Sequence, residues 1–221
     1  MQNYIKKIKN DLERKRNSEY AKKMEQYMRD QFKFLGIKAD ERRKVTKKYK
    51  KKKNRPEYKE LEDIIKKLWQ LSEREYQYFA IELLEKYKKE FTEEIFSLFE
   101  YIIINKSWWD TVDRISKNLV GEYFKKFPEK KKEYIEKWIN SNNIWLQRST
   151  LLFQLAYKEN TDKELLFKLI KKLKNKDEFF IQKAIGWALR EYSKSNKEVV
   201  KKFINNNDLS SLATREGSKY I

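Results

Sequence analysis

The chain has 221 residues, with 53 Lys or Arg against 34 Asp or Glu and a formal net charge of +19 at pH 7. This excess favours a polyanionic partner, and we expect nucleic acid rather than an anionic membrane, although a Lys- and Asn-biased genome also contributes such charge. The sequence has no His and no Cys. Their absence excludes zinc fingers, zinc deaminases, His-dependent nucleophile systems and thiolate-bound iron–sulfur clusters, so we expect no metal.

Glycine spacing and apolar runs exclude further classes. The four glycines, at positions 36, 121, 186 and 217, form neither a GxGxxG motif nor a P-loop, so we expect no nucleotide cofactor. The apolar run Ile95–Ile104 is interrupted by Glu100 and falls short of the ~20 residues that a transmembrane helix needs. The first thirty residues are too charged for a signal peptide. We expect no membrane association and a cytoplasmic protein associated with the nucleoid.

The predicted elements are helical along nearly the whole chain. The run Lys50–Lys53, followed by Asn54-Arg55-Pro56, is expected to end one helix and open a solvated loop. Leu, Lys and Glu at helical spacing predict helices over Glu75–Lys88, Ile95–Ile104 and Lys163–Leu173. Clusters of Asn and Asp predict turns and N-caps at 140–143, 160–162, 175–177 and 205–208. We expect one domain over residues 1–221.

An internal repeat is visible in the spacing of glutamines. Gln77, Gln147 and Gln182 are separated by 70 and 35 residues, and each opens a similar pattern. A period of about 35 residues is one helical hairpin, which predicts an all-α solenoid of stacked helical pairs. Equivalent positions then form a row that lines a concave, mostly basic groove suited to a duplex backbone. The row consists of Arg43, Tyr78, Asp113, Arg148 and Lys183.

The most informative pair within this pattern is Trp109 and Asp113. Their i, i+4 spacing puts both side chains on one helix face, so a carboxylate stands beside a large π surface, an arrangement that suits a cation. A carboxylate in a phosphate-binding groove repels DNA and weakens its binding, unless the carboxylate interacts with a positive charge on the nucleic acid. Normal bases carry none, whereas an N3- or N7-alkylated purine does. The alternative is that Asp113 is an ordinary ion-pair partner of Arg148 or Lys183.

Several segments together resemble the AlkD-type DNA alkylation-repair glycosylases. The matching segments are 108–113 (Trp-Trp-Asp-Thr-Val-Asp), 145–148, 184–191, 27–37 and 214–220. The resemblance implies a right-handed solenoid of HEAT-like helical pairs and a monofunctional glycosylase that excises N3- and N7-alkylpurines from duplex DNA in base excision repair. It also implies a catalytic carboxylate at Asp113, aromatic lesion contacts at Trp109 and Trp187, and a DNA-backbone contact at Arg148.

Other residues carry weaker expectations. Trp187 and Arg190 project to the same side of one helix. Arg190, Arg43 and Lys183 are candidate phosphate contacts. The alternative for each is that its charge is simply exposed to solvent on a basic surface. Tyr27 is either a core residue or an aromatic DNA-binding wall of the cleft. Trp108 is expected in the core and Asp110 at a helix start.

Two other functions stay open at this point. One is a noncatalytic HEAT-like nucleic-acid-binding protein of the same family, and the other is a protein-binding helical-repeat scaffold. A scaffold predicts an exposed apolar groove, whereas the repeat row here is basic. The presence of Asp113 favours an enzyme over a noncatalytic relative. No particular lysine is marked as a Schiff-base nucleophile, so no lyase activity is expected, and a monomer is sufficient for a duplex binder of this size.

Overall fold

The computed structural model describes residues 2–221, and in this part of the chain helices are joined by turns. Its only β-type pairing is an isolated bridge between Lys33 and Glu73, so the predicted all-α class is confirmed. None of the described helices is long and apolar enough to cross a membrane. The residues divide into two compact units between Leu98 and Phe99, and the prediction of a single domain stays a prediction.

The first unit contains five helices and the beginning of a sixth. These are α1 (Gln2–Glu13), α2 (Ser18–Tyr27), α3 (Ala39–Thr46), α4 (Leu61–Gln70), α5 (Arg74–Leu84) and the start of α6 (Ile95–Ile104). Short 3₁₀ turns cover 47–50, 58–60 and 85–90. Burial of Leu and Ile side chains from α1, α4 and α5 forms the core of this unit.

The second unit continues from α6 as a series of helical pairs. It contains α7 (Trp109–Ile115), α8 (Gly121–Lys126), α9 (Lys131–Ile139), α10 (Ile144–Leu152), α11 (Lys163–Leu173), α12 (Phe179–Ser193), α13 (Lys197–Asn205) and α14 (Ser211–Gly217). A π-helical turn over 116–120 joins α7 to α8, and 3₁₀ turns cover 128–130, 158–160 and 218–220. Helix α10 packs against α9, α11 and α12, and α12 packs against α13 and α14, which fits the predicted HEAT-like α-solenoid.

Local sequence accounts for where several helices begin and end. The side chain of Asn143 accepts from the Trp145 amide and caps α10, and Asp162 accepts from the Leu165 amide and caps α11. Helices α6 and α11 have the predicted bounds. The predicted helix over Glu75–Lys88 is instead α5 followed by a 3₁₀ turn.

The three repeat glutamines make the same contact in each pair. Gln77, Gln147 and Gln182 lie on the second helix of a pair, and each Nε2 donates to the carbonyls of residues eight and six positions earlier. These carbonyls lie at the end of the preceding helix, where intrahelical partners are missing. The acceptors are Trp69 and Leu71, Ile139 and Ser141, and Lys174 and Lys176. The 35-residue period is therefore a repeated structural contact.

Candidate active site

Helix α7 presents the predicted carboxylate and indole. It begins at Trp109 after an extended Trp108, and Asp110 lies in its first turn, as the sequence predicted. Trp109 and Asp113 are both partly exposed and one turn apart. A π-helical turn follows directly, a departure from α-helix that is frequent at functional sites.

Arg148 on α10 binds the carboxylate of Asp113 through two hydrogen bonds. Its Nε donates to Oδ1 at 2.7 Å and its Nη2 donates to Oδ2 at 2.8 Å. The third nitrogen of the guanidinium donates to the main-chain carbonyl of Phe180 on α12. The side chain of Arg148 is 5% exposed and that of Asp113 is 13% exposed. One guanidinium thus connects α7, α10 and α12.

The Asp113 carboxyl experiences two opposing influences. Burial raises its pKa above the usual range because the charged form loses hydration, and the hydrogen bonds and charge of Arg148 oppose that shift. The negative charge of Asp110 adds to the increase. Arg148 is therefore what favours an ionised carboxylate at this position.

Within the protein, the hydrogen bonds of Arg148 go to Asp113 and Phe180, and its predicted contact with the DNA backbone stays a prediction. Its side chain is buried and its guanidinium faces Asp113 and Phe180. The ion pair between Asp113 and Arg148, which the sequence left as an alternative, is present. Because the guanidinium fixes the carboxylate on a neighbouring helix, its structural effect is to orient Asp113.

An aromatic cluster packs beside this ion pair. The ring centroid of Trp108 lies 5.8 Å from that of Trp145 and 5.1 Å from that of Phe180, and the last two are 5.0 Å apart. The guanidinium carbon of Arg148 lies 6.0 Å from the Phe180 ring centroid. Trp108 therefore packs against rings from neighbouring helices but is half-buried, whereas the sequence predicted a core position. These rings limit water around the ion pair.

A second cluster on α12 and α14 holds two of the predicted phosphate contacts. The carboxylate of Glu216 accepts from Lys183 at 3.0 Å, Arg190 at 3.1 Å and Lys219 at 2.7 Å. Hydrogen bonds from Lys219 and then Lys183 lower the pKa of Glu216 to about 2. Three cations around one carboxylate leave a local charge of about +2. Trp187 lies between Lys183 and Arg190 on the same face of α12 and is partly exposed.

The predicted site residues of the first unit lie on its surface. Tyr27, at the end of α2, is 72% exposed, which excludes the core alternative for this residue. Arg43 on α3 is exposed and pairs with Asp40 at 3.5 Å and with Glu82 at 3.4 Å. Both residues are available to solvent, and their role in DNA binding stays a prediction.

Comparison with known proteins assigns the family. The sequence model of the DNA alkylation repair enzymes matches residues 8–221. The chain belongs to the DNA alkylation repair enzyme family. A solved structure of a predicted DNA alkylation repair enzyme from Enterococcus faecalis is 39% identical, with a TM-score of 0.87, and the match covers 93% of this chain and 96% of that chain. No curated protein matches the sequence.

Membership in the DNA alkylation repair enzyme family gives this protein a role in DNA repair. Two groups in the site, the Glu216 carboxylate and the Phe180 carbonyl, were not predicted from the sequence. Glu216 lies in the matching segment 214–220, and its central place among three cations is set by the packing of α14 on α12. The Phe180 contribution is a main-chain carbonyl, for which a side-chain pattern gives no signal.

Proposed function

We propose that this protein is a monofunctional DNA glycosylase that excises positively charged N3- and N7-alkylated purines from duplex DNA. The observation that carries the proposal is the Asp113 carboxylate, which Arg148 holds in a fixed orientation while a part of it remains exposed beside Trp109. An oriented negative charge in a largely desolvated position suits a reaction that develops positive charge. The family assignment supports DNA as the substrate.

The chemistry requires little besides that charge. An alkylated purine leaves as a neutral base when its glycosidic bond breaks, so no general acid has to protonate it, and a chain without His is adequate. The bond cleavage places positive charge on the deoxyribose. A preorganised carboxylate stabilises that charge and orients the attacking water, an effect of about 10²–10³ in rate for a single group of this kind. The products are the free base and an abasic site.

Aromatic and basic side chains supply binding. Trp109 and Trp187 are partly exposed indoles, and each adds about 0.5–2 kcal/mol of cation–π attraction when it contacts the cationic nucleotide. Lys183 and Arg190 bind phosphate from the cluster around Glu216, and the exposed Tyr27 and Arg43 contact the backbone in the same proposal. Such contacts make affinity fall with salt without reading the base sequence.

The decisive experiment measures release of free base from methylated duplex DNA. Asp113→Asn keeps the shape of the side chain and removes its charge, and Asp110→Asn is a matched control because it makes the same change on the same helix. We expect Asp113→Asn to lower single-turnover release at saturating enzyme by about 10²–10³. Asp110→Asn should stay within a few-fold of the unsubstituted protein. Equal release by all three proteins would contradict the catalytic role of Asp113.

One observation favours a second candidate function, a noncatalytic nucleic-acid-binding protein. Both oxygens of Asp113 already accept hydrogen bonds from Arg148, as in an ion pair whose role is structural. This candidate predicts tight, salt-dependent binding to methylated duplex with no release of 3-methyladenine or 7-methylguanine. The base-release assay separates the two candidates directly, provided that binding is measured at the same salt concentration.

A further inference from the structure

The end of α3 and the segment that follows it carry more positive charge than their own carboxylates can balance. Residues 41–55 contain ten Lys or Arg and a single Glu. Five of these cations are exposed lysines that make no ion pair within the described part of the chain. They are Lys44 on α3 and Lys47, Lys51, Lys52 and Lys53 after it, and we call the last four the α3 lysine loop. Like charges at this density repel one another, so the loop suits an anionic partner.

Buried contacts fix this loop at its beginning. Tyr49 is 8% exposed, its hydroxyl donates to Asp11 at 2.6 Å, and its carbonyl accepts from the Tyr4 hydroxyl at 2.9 Å. Lys50 is turned inward and pairs with the buried carboxylate of Glu82. The lysines that flank these residues are therefore presented to solvent from an anchored turn.

Contacts at the other end complete the anchoring. The Asn54 side chain donates to the carbonyl of Lys48 at 2.9 Å, and the Asn54 amide donates to the carbonyl of Lys51 at 2.9 Å. Arg55 binds the carbonyl of Lys86 and the carboxylate of Glu90. An ordered turn loses less conformational entropy on binding than a mobile tail does. The loop is thus built as a surface that holds several cations near one another.

We propose that the α3 lysine loop is a second contact surface for the phosphate backbone of duplex DNA, separate from the residues of the candidate active site. The proposal rests on the proposed function for the identity of the partner. The exposed lysines bind phosphates as point charges and read no sequence, since Tyr49 is buried and the side chain of Asn54 donates to the carbonyl of Lys48. The surface therefore contributes equally to damaged and undamaged DNA.

Lysine protection in the unsubstituted protein gives a direct test. Brief acetylation with and without saturating undamaged duplex, read by mass spectrometry, should show strong protection of Lys47, Lys51, Lys52 and Lys53. Four exposed lysines of α11 and α13, which make no ion pair in the described structure, serve as controls: Lys168, Lys171, Lys201 and Lys202. Loop lysines that stay fully reactive in the saturated complex, or controls that are protected equally, would overturn the proposal.

Substitution of the same two sets gives an independent measurement. Replacing the four loop lysines by Gln, or the four control lysines by Gln, removes the same charge of four. The loop variant should lower the slope of log affinity against log salt on undamaged duplex by up to about 3–4, and the control variant by far less. Equal losses in the two variants would mean a general charge effect and reject the surface. A different outcome is that the loop variant loses binding to anionic phospholipid vesicles while its DNA binding is unchanged. That outcome would overturn the proposal and identify an anionic membrane as the partner of the loop.

These measurements are independent of base excision. Both use undamaged duplex, so they succeed or fail whether or not the protein releases any base. An active protein with no loop protection rejects this inference alone, and a protected loop without base release rejects the glycosylase alone.

Discussion

The guanidinium of Arg148 binds the carboxylate of Asp113 through two parallel hydrogen bonds, from Nε to Oδ1 at 2.7 Å and from Nη2 to Oδ2 at 2.8 Å. A fork of this kind restrains rotation of the carboxylate about its side chain, and each oxygen keeps a further lone pair. The guanidinium is itself held by the carbonyl of Phe180 on α12. The charge proposed to act on the sugar is therefore oriented before substrate binds, which is a requirement for electrostatic catalysis.

The first prediction concerns the pH dependence of excision by Arg148→Gln. In the proposed mechanism excision requires ionised Asp113, so its rate should fall as pH drops through the pKa of this carboxyl. Burial raises that pKa and Arg148 opposes the increase. Removing the guanidinium should therefore move the acid limb of the pH–rate profile to higher pH and lower the plateau by about tenfold or more. Single-turnover rates across the acid range, at saturating enzyme, measure both effects.

The same pH–rate profile distinguishes an orienting role of Arg148 from a phosphate-binding role. If Arg148 acts on the DNA backbone alone, Arg148→Gln weakens binding and leaves the acid limb at its original pH once enzyme is saturating. Arg190→Gln is the matched comparison, since the guanidinium of Arg190 donates to Glu216, whereas that of Arg148 donates to Asp113. An acid limb that moves equally in both variants would argue against the orienting role.

The second prediction concerns Glu216 and acid stability. Its pKa is about 2 in the folded protein and near the ordinary value of 4.5 in the unfolded chain. Its contribution to stability is therefore complete above about pH 4.5 and is lost as pH falls toward 2. Glu216→Gln should lower the free energy of unfolding at pH 7 and flatten its decline between pH 4.5 and 2. Urea unfolding at several pH values measures this slope.

A matched carboxylate controls the Glu216 experiment. Glu136 on α9 is exposed, and its side chain makes no ion pair within the described residues. Glu136→Gln should leave the acid slope unchanged. A Glu216→Gln protein that loses stability with acid as steeply as the unsubstituted protein would show that the cluster with Lys183, Arg190 and Lys219 does not ionise as described.

Much of this architecture could be predicted from local sequence. The bounds of α6 and α11 follow from apolar spacing, and the caps Asn143 and Asp162 follow from side chains that bond to nearby amides. The repeat glutamines were visible because their contacts lie only six and eight residues away along the chain. Local determinants of this kind leave a periodic signal in a single sequence.

The unpredicted features depend on pairing between helices. Arg148 could be placed near Asp113 by the repeat, but its burial depends on the aromatic rings and the Phe180 carbonyl around it. The role of Glu216 depends on how closely α14 approaches α12. The π-helical turn after Asp113 packs against α10, where the Ser116 hydroxyl donates to that of Ser149 at 2.9 Å. Such relationships leave no fixed spacing in the sequence.

The third prediction tests the close approach of α12 and α14. A Cβ added at Gly186 would lie 2.5 Å from the Cβ of Glu216 and 2.9 Å from the carbonyl oxygen of Ala213. Gly186→Ala must therefore push the helices apart, and we expect a loss of about 1–3 kcal/mol in the free energy of unfolding. At Gly217 the nearest atoms are 3.2 Å or more away, so Gly217→Ala is a milder control. Equal unfolding midpoints for the two variants would contradict this packing.

The fourth prediction assigns an energy to the repeated glutamine contact. Gln147→Met keeps the length of the side chain and removes the donor that serves the carbonyls of Ile139 and Ser141. Gln182→Met removes the equivalent donor and also an oxygen that accepts from the Ser210 hydroxyl at 2.6 Å. Each change should cost about 1–3 kcal/mol, because peptide carbonyls lose their partners, and the Gln182 change should cost more.

Urea unfolding of these variants, beside Gln26→Met at an exposed position of α2, gives the comparison. The Gln26 change should fall within about 0.5 kcal/mol of the unsubstituted protein, as is usual for surface positions. Each glutamine bonds to a different helix end. The losses in free energy of unfolding caused by Gln147→Met and Gln182→Met should therefore add in the double variant. If Gln147→Met and Gln182→Met are as stable as Gln26→Met, water replaces the amide at these helix ends. The 35-residue spacing of glutamine would then have no energetic basis in the fold.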